Sequence, residues 1–221
     1  MASRVHGGDL RRSLQRGIFV SLVVCWMAPA GLAQVADDLT ARPLEVVETT
    51  VGEVIEILGT PGLTNAERRA RIEKIAFGVF DFTTLSKLVL ARNWKRLDKT
   101  QRQEFIVEFK KYLSRNYGSR LGRYEKADVE VLGARVEPRK DVTVFTQVAG
   151  SEFNGIEMNY RMRLGKSDWK VIDIVIEGVS MLANFRAQFS EVIGREGPEG
   201  LLEAIRKRNS EPVNSEPVEE S

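Results

Sequence analysis

The sequence predicts an α+β fold in which a four-stranded, twisted antiparallel sheet packs against several helices. Two observations predict it. Apolar residues recur every three to four positions between residues 43 and 124, which is the period of helices, and every second position between residues 128 and 176, which is the period of strands. Short polar turns containing Gly, Pro, Asp or Asn separate four strand-like runs, and such turns join antiparallel neighbours.

Residues 1–33 have the layout of a secretory signal peptide. Four arginines precede an apolar run over residues 17–28, and residues 29–33 are small or turn-forming. The apolar run is too short for an ordinary membrane-spanning helix. We predict export with cleavage after Ala33, with Ala30 as the alternative point, and an uncleaved anchor is the competing interpretation. Without the leader, the net charge of the chain falls from +2 to slightly negative.

The helical half is predicted from apolar periodicity and capping residues. Pro43 suits the first turn of the first helix, and Thr64 with Glu67 has the spacing of a capping box. Asp81 is a candidate cap of the third helix, and Asp98 with Gln101 opens the longest one. The predicted helices cover residues 43–58, 65–77, 83–92, 98–124, 179–193 and 199–207.

The predicted strands cover residues 128–136, 142–148, 156–164 and 169–176. Strict alternation in the third strand places Met158, Tyr160 and Met162 on one face, and alternation in the fourth places Asp173 on the face of Trp169 and Val175. Residues 210–221 contain two prolines and little apolar bulk, which predicts a disordered tail. We therefore expect one domain over residues 34–209.

Composition excludes most catalytic chemistry. The only histidine is His6 and the only cysteine is Cys25, both inside the predicted leader. An exported chain without them has no Ser-His-Asp or Cys-His nucleophile and no usual zinc ligands, so we expect neither metal nor cofactor. Basic clusters are interleaved with acids, which argues against nucleic-acid binding. Asp173 interrupts an apolar strand and is the best candidate for a carboxylate hydrolase, although pairing with an arginine or capping a helix explains it more simply.

Large, flexible or flat apolar residues recur on the long helix, the third and fourth strands and the penultimate helix. They form either a solid core, as in a protein-binding module or chaperone, or the lining of an adaptable apolar cavity. The candidate cavity residues are Phe82, Leu85, Phe109, Tyr112, Tyr117, Val144, Met158, Tyr160, Met162, Trp169, Val175, Met181, Phe185 and Phe189.

Several runs resemble the MlaC family, also called the toluene-tolerance auxiliary proteins of an ABC transport system. The C-terminal runs are WKVIDIVIEGVS at residues 169–180, NFRAQF at residues 184–189 and GLL at residues 200–202. Upstream, FDF at residues 80–82, Trp94 and QRQEF at residues 101–105 agree with the family pattern. The resemblance spans residues 37–207. One departure is the segment before Trp94, where relatives often carry a glycine.

The resemblance implies a periplasmic, non-enzymatic lipid carrier. It implies helices packed on a twisted antiparallel sheet, with an apolar cavity between them for phospholipid acyl chains. It also implies transfer between an outer-membrane MlaA–porin complex and an inner-membrane ABC transporter with MCE-domain subunits. A related branch accompanies hopanoid biosynthesis, so another lipid is the alternative ligand.

Overall fold

The computed structural model describes residues 30–118, 127–150 and 153–211. Three sequence predictions lie wholly or mostly outside these residues: the signal peptide up to residue 29, the end of the longest helix over residues 119–124, and the tail from residue 212. The predicted cleavage point after Ala33 lies near the start of the first helix.

Five α-helices form in the described residues. Pro43 lies inside the first of them and not in its first turn, so the predicted start was wrong. A proline removes one intrahelical hydrogen bond, but Leu39 and Leu44 on either side of it pack against the sheet and hold the helix through this point. The helices are α1 (Ala30–Gly59), α2 (Asn65–Val79), α3 (Phe82–Leu90), α4 (Lys99–Gly118) and α5 (Met181–Ser210), with a 3₁₀ helix over Ala91–Arg96 after α3.

The predicted caps are present. Thr64 and Glu67 form the capping box of α2, and the Asp81 carboxylate accepts a hydrogen bond from the Thr84 N–H at 2.9 Å. Gly197, with φ of 74°, precedes Pro198 and breaks α5 into two helical segments. This agrees with the break that the Gly-Pro pair predicts between two helices.

The sheet is antiparallel throughout, with its strands in chain order and not four but five in number. The additional strand contains only two residues, too few for a periodic signal. Glu177 and Gly178, with φ of 48° and 79°, form the tight turn that returns the chain to pair with the fourth strand. The strands are β1 (Asp128–Val136), β2 (Val142–Gly150), β3 (Phe153–Leu164), β4 (Trp169–Ile176) and β5 (Val179–Ser180).

A β-bulge at Ile172 changes which side chains of β4 share a face. Met162 pairs with Val171, whereas its neighbour Arg161 pairs with Asp173, so Ile172 is the extra residue. The predicted placement of Asp173 and Val175 on the face of Trp169 was therefore wrong. The bulge moves both residues to the opposite face and brings Ile174 onto the face of Val171.

Helix α1 crosses one side of the sheet, which we call the α1 face. Val47 of α1 packs there against strand residues that are almost completely buried, and each such side chain contributes about 1.5–3 kcal/mol by burial. We call this group the sheet cluster. Its buried members are Val47, Val142, Val144, Met162, Trp169 and Val171.

A second apolar group, the helical cluster, lies between α3, α4 and α5. Phe105 and Phe109 stack with centroids 5.4 Å apart, and Phe189 meets Phe105 edge-on at 5.8 Å. Such ring pairs each add about 0.5–1.5 kcal/mol beyond area burial. Phe80 packs against both clusters and forms an isolated bridge with Val171, so it joins the helices to the sheet.

Candidate functional site

The fourteen predicted cavity residues do not form one group. Eight belong to the helices and five to the α1 face, while Val175 lies on the opposite face. The helical residues are Phe82, Leu85, Phe109, Tyr112, Met181, Phe185 and Phe189 in the helical cluster, and Tyr117, whose ring meets that of Phe185 edge-on. The residues of the α1 face are Val144, Tyr160, Met162 and Trp169 in the sheet cluster, and Met158.

Met158 belongs to a third, smaller apolar group at the end of the sheet where β1 begins, which we call the end cluster. Ala127 and Val148 are its buried members, and Val129, Ile156 and Met158 are half-buried against them. The end cluster lies on the same face as the sheet cluster, because Val148 follows Val144 of the sheet cluster by four residues on β2 with no register shift between them, and Ile156 and Val129 both pair with Val148. The α1 face is therefore apolar along most of its length.

An open groove of about 380 Å³ lies between α1 and β1. Val51 and Val131 at the groove also belong to the sheet cluster, and Val129 belongs to the end cluster, so the groove lies where the two clusters meet. Its volume is within the range of ligand pockets, and about half of its lining surface is apolar, contributed mainly by four aliphatic side chains. The lining residues are Glu48, Val51, Gly52, Ile55, Asp128, Val129 and Val131.

Gly52 lines this groove. It lies in the interior of α1, and a Cβ added there would meet no atom within 4 Å. A glycine inside a helix is less favourable than alanine by about 0.5–1 kcal/mol, and no neighbouring atom requires it here. Gly52 is the one lining residue of the groove that has no side chain. The sequence prediction missed Gly52 as a lining residue. The pattern that could have indicated it is a glycine between the apolar helix positions Val51 and Ile55.

An ion pair fixes α1 over the sheet at the other end of the face. The Arg42 guanidinium donates to both carboxylate oxygens of Asp168 in the β3–β4 turn, at 3.1 and 2.5 Å. These bonds hold the pKa of Asp168 below its usual value. The two carboxylates at the groove itself, Glu48 and Asp128, are exposed and lie on its rim.

The strand floor beneath α1 is adaptable near Met158. The Tyr160 hydroxyl donates to the Met158 sulfur at 3.3 Å, and both side chains are half-buried. Beside them, side chains replace part of the β2–β3 ladder: the Thr146 hydroxyl donates to the Met158 carbonyl, and the Thr146 N–H to Asn159 Oδ1 at 3.2 Å. A flexible thioether at such an irregular point can follow the shape of an apolar ligand.

Asp173 holds the start of α5. It is 2% exposed, its Oδ2 accepts from the Ser180 hydroxyl at 2.6 Å, and its Oδ1 accepts from the Leu182 N–H at 2.9 Å. The Arg161 Nη1 lies 3.9 Å from the Asp173 Oδ2. The simpler interpretation of Asp173, a helix cap beside an arginine, is confirmed, since both of its oxygens already serve the α5 N-terminus.

The described residues contain neither a candidate metal site nor a candidate membrane-spanning helix. Histidine, cysteine, aspartate and glutamate nowhere gather there into a group of three or more that could hold a metal ion. In the same part of the chain, none of the helices is both long and apolar enough to cross a bilayer.

Comparison with known proteins assigns the family. The model of the family described as MlaC protein matches residues 48–207, which include α2, the whole sheet and the α1 half that lines the groove. The chain belongs to the MlaC family. The sequence resemblance that predicted this family is confirmed.

Two curated MlaC relatives are similar along much of this chain. The toluene tolerance protein ttg2D of Pseudomonas putida is 26% identical over 192 residues, which cover 83% of this chain and 84% of the relative. The intermembrane phospholipid transport system binding protein MlaC of Haemophilus influenzae is 23% identical over 130 residues, covering 57% of this chain and 60% of the relative.

A solved structure also matches this MlaC-family chain. It is the phospholipid-binding protein from Ralstonia solanacearum in complex with a phospholipid. The two folds superpose with a TM-score of 0.69 at 26% identity, over 77% of this chain and 98% of the other. The α+β prediction is confirmed.

Proposed function

We propose that this chain is a periplasmic phospholipid carrier that shields acyl chains against the α1 face of its sheet. The observation that carries the proposal is the match to a phospholipid-bound protein of the same fold at 26% identity. The relative from Haemophilus influenzae is named as a binding protein of phospholipid transport, and binding without turnover agrees with a chain whose only histidine and cysteine are His6 and Cys25.

The groove lined by Gly52 supports the proposal. Burial of hydrocarbon is worth about 0.8 kcal/mol per methylene, so even a partly covered acyl chain gains several kcal/mol. The groove offers aliphatic contacts from both sides, with Val51 and Ile55 on α1 and Val129 and Val131 on β1. The wall is formed by side chains that are only half-buried, so they can move apart to admit a chain. The remaining predicted cavity residues of the α1 face, notably Met158 and Tyr160, would extend this surface.

The proposed cellular role follows from membership of the MlaC family. The protein would be exported with cleavage of residues 1–33, fold as one domain over residues 34–209, and carry phospholipid between an outer-membrane MlaA–porin complex and an inner-membrane MCE-domain transporter. A carrier must bind lipid firmly enough to cross water yet release it at a membrane complex. An open groove that binds acyl chains without covalent chemistry suits both requirements.

Native mass spectrometry of the gently purified protein tests the proposal. We expect a co-purifying mass equal to that of a phospholipid, and the same mass measurement identifies a hopanoid if that is the ligand. Gly52→Phe should fill the groove and reduce the bound fraction at least tenfold. Gly194→Phe is the matched control, because Gly194 is also an exposed helical glycine with no atom within 4 Å of an added Cβ. A protein free of lipid, or equal loss in both variants, would contradict the proposal.

A further inference from the structure

The C-terminal end of α2 carries an exposed phenyl ring among lysines. Phe77 is 39% exposed, and the Lys110 ammonium lies 3.3 Å from its ring centroid. The Lys170 ammonium donates to the carbonyl of Gly78, the residue after Phe77, at 2.5 Å. Lys74, three residues before Phe77, lies on the same side of α2. We call Phe77, Lys74, Lys110 and Lys170 the lysine patch.

The charges of the lysine patch are not neutralised by ion pairs within the described part of the chain, where none of its three lysines has a carboxylate oxygen within 4.0 Å. Lys170 does lie near enough to Asp168 to act on its pKa, but Arg42 already binds that carboxylate. Lys110 and Lys170 lie at the C-terminal, negative end of the α2 dipole, which accounts for their position but not for the exposure of the Phe77 ring.

The composition of the patch favours a lipid surface over a protein partner. Lysine is depleted in the centres of protein–protein interfaces, where arginine, methionine and the aromatic residues, phenylalanine included, are enriched. It is therefore the three lysines, and not the ring, that argue against a protein partner. Lysines around a phenylalanine are instead typical of surfaces that contact anionic bilayers, since the ring enters the headgroup boundary and the ammonium groups meet phosphates. Val107, 50% exposed and three residues before Lys110 on α4, enlarges the apolar part.

We infer that the lysine patch docks this protein on an anionic phospholipid surface. The inference rests on the proposed carrier function, because a phospholipid carrier comes close to a membrane at each end of its path. It adds a direct contact with the bilayer that neither the groove nor the family relation assigns. The patch lies on α2, α4 and β4, whereas the groove lies between α1 and β1, so the two surfaces can be altered separately.

Vesicle flotation of the whole exported protein tests this inference. The two probes are vesicles of phosphatidylcholine alone and vesicles of phosphatidylcholine and phosphatidylglycerol in equal amounts. We expect binding to the second only, weakening as salt is raised. The double variant Lys110→Gln/Lys170→Gln should bind about thirty-fold more weakly, at roughly a factor of five for each lysine charge. Lys95→Gln/Lys140→Gln removes two exposed charges elsewhere and should bind as the wild type does.

A single-lysine variant and a measurement of bound lipid separate the charge effect on vesicle binding from other causes. The Lys74 side chain contacts neither the Phe77 ring nor a backbone carbonyl as Lys110 and Lys170 do. A four- to six-fold loss of vesicle binding in Lys74→Gln therefore shows the charge effect without altering the packing around Phe77. Bound lipid is measured by native mass spectrometry in the same samples and should not change. The docking inference is wrong, while the carrier proposal stands, if the wild type binds vesicles with and without phosphatidylglycerol equally. It is also wrong if the control double variant loses as much vesicle binding as the patch variant. Absence of bound lipid in the wild type overturns the carrier proposal instead.

Discussion

Asp173→Asn distinguishes a helix cap from a catalytic acid. The carboxylate accepts hydrogen bonds from the Ser180 hydroxyl and the Leu182 N–H, and it is almost fully buried. A hydrogen bond to a charged group contributes about 1.5–3 kcal/mol, and asparagine can keep the bond from Leu182 but not the charge. We expect the free energy of unfolding to fall by about 2 kcal/mol, and the melting temperature by about 4–8 °C.

The assay is urea unfolding followed by circular dichroism, with lipid retention and ester or glycoside hydrolysis measured on the same protein. Ser180→Ala serves as the comparison, since it removes the hydroxyl that donates to Asp173 and also accepts from the Ala183 N–H. The two variants should therefore be strongly non-additive when combined. A loss below about 0.5 kcal/mol, or a hydrolytic activity that Asp173→Asn abolishes, would refute the capping role.

Three further predictions concern the ligand surface, acid stability and the helical cluster. Met158→Glu should abolish lipid retention in native mass spectra, because a carboxylate among acyl chains is costly, whereas the exposed control Leu132→Glu should retain lipid. Burial opposes ionisation of Asp81, but the hydrogen bonds that its carboxylate accepts from Thr84 prevail and lower the pKa of Asp81. The stabilisation from ionised Asp81 should therefore disappear as pH falls below about 3.8, and Asp81→Asn should flatten that part of a curve of unfolding free energy against pH. Phe105→Ala should lower the free energy of unfolding by about 3–5 kcal/mol in urea titration, and a loss under 1 kcal/mol would show that the helical cluster is loosely packed.

The secondary structure was largely predictable because each element carries a local signal. Alternation gave β4 with both ends as the structure has them, and the capping box gave the start of α2. The bulge at Ile172 was not predictable, since a strand with one extra residue has the same composition as a regular strand. It decides the face of Asp173 and Val175, so an error of one residue moved two side chains across the sheet.

The site was less predictable than the fold because apolar character alone does not state which core a side chain joins. Phe109 and Met162 are both fully buried, yet the first packs between helices and the second under α1. That partition depends on long-range packing. Gly52, which lines the groove, contributes no side chain and therefore no hydrophobic signal. A glycine in the middle of an amphipathic helix was the only local indication of it.

The most direct test of the proposed carrier function is a crystal structure of the protein purified with its lipid. We expect acyl-chain density against the α1 face, in contact with Val51, Gly52 and Val129, with neighbouring half-buried side chains displaced. Density confined to the helical cluster, or an unchanged groove in a lipid-loaded protein, would contradict it.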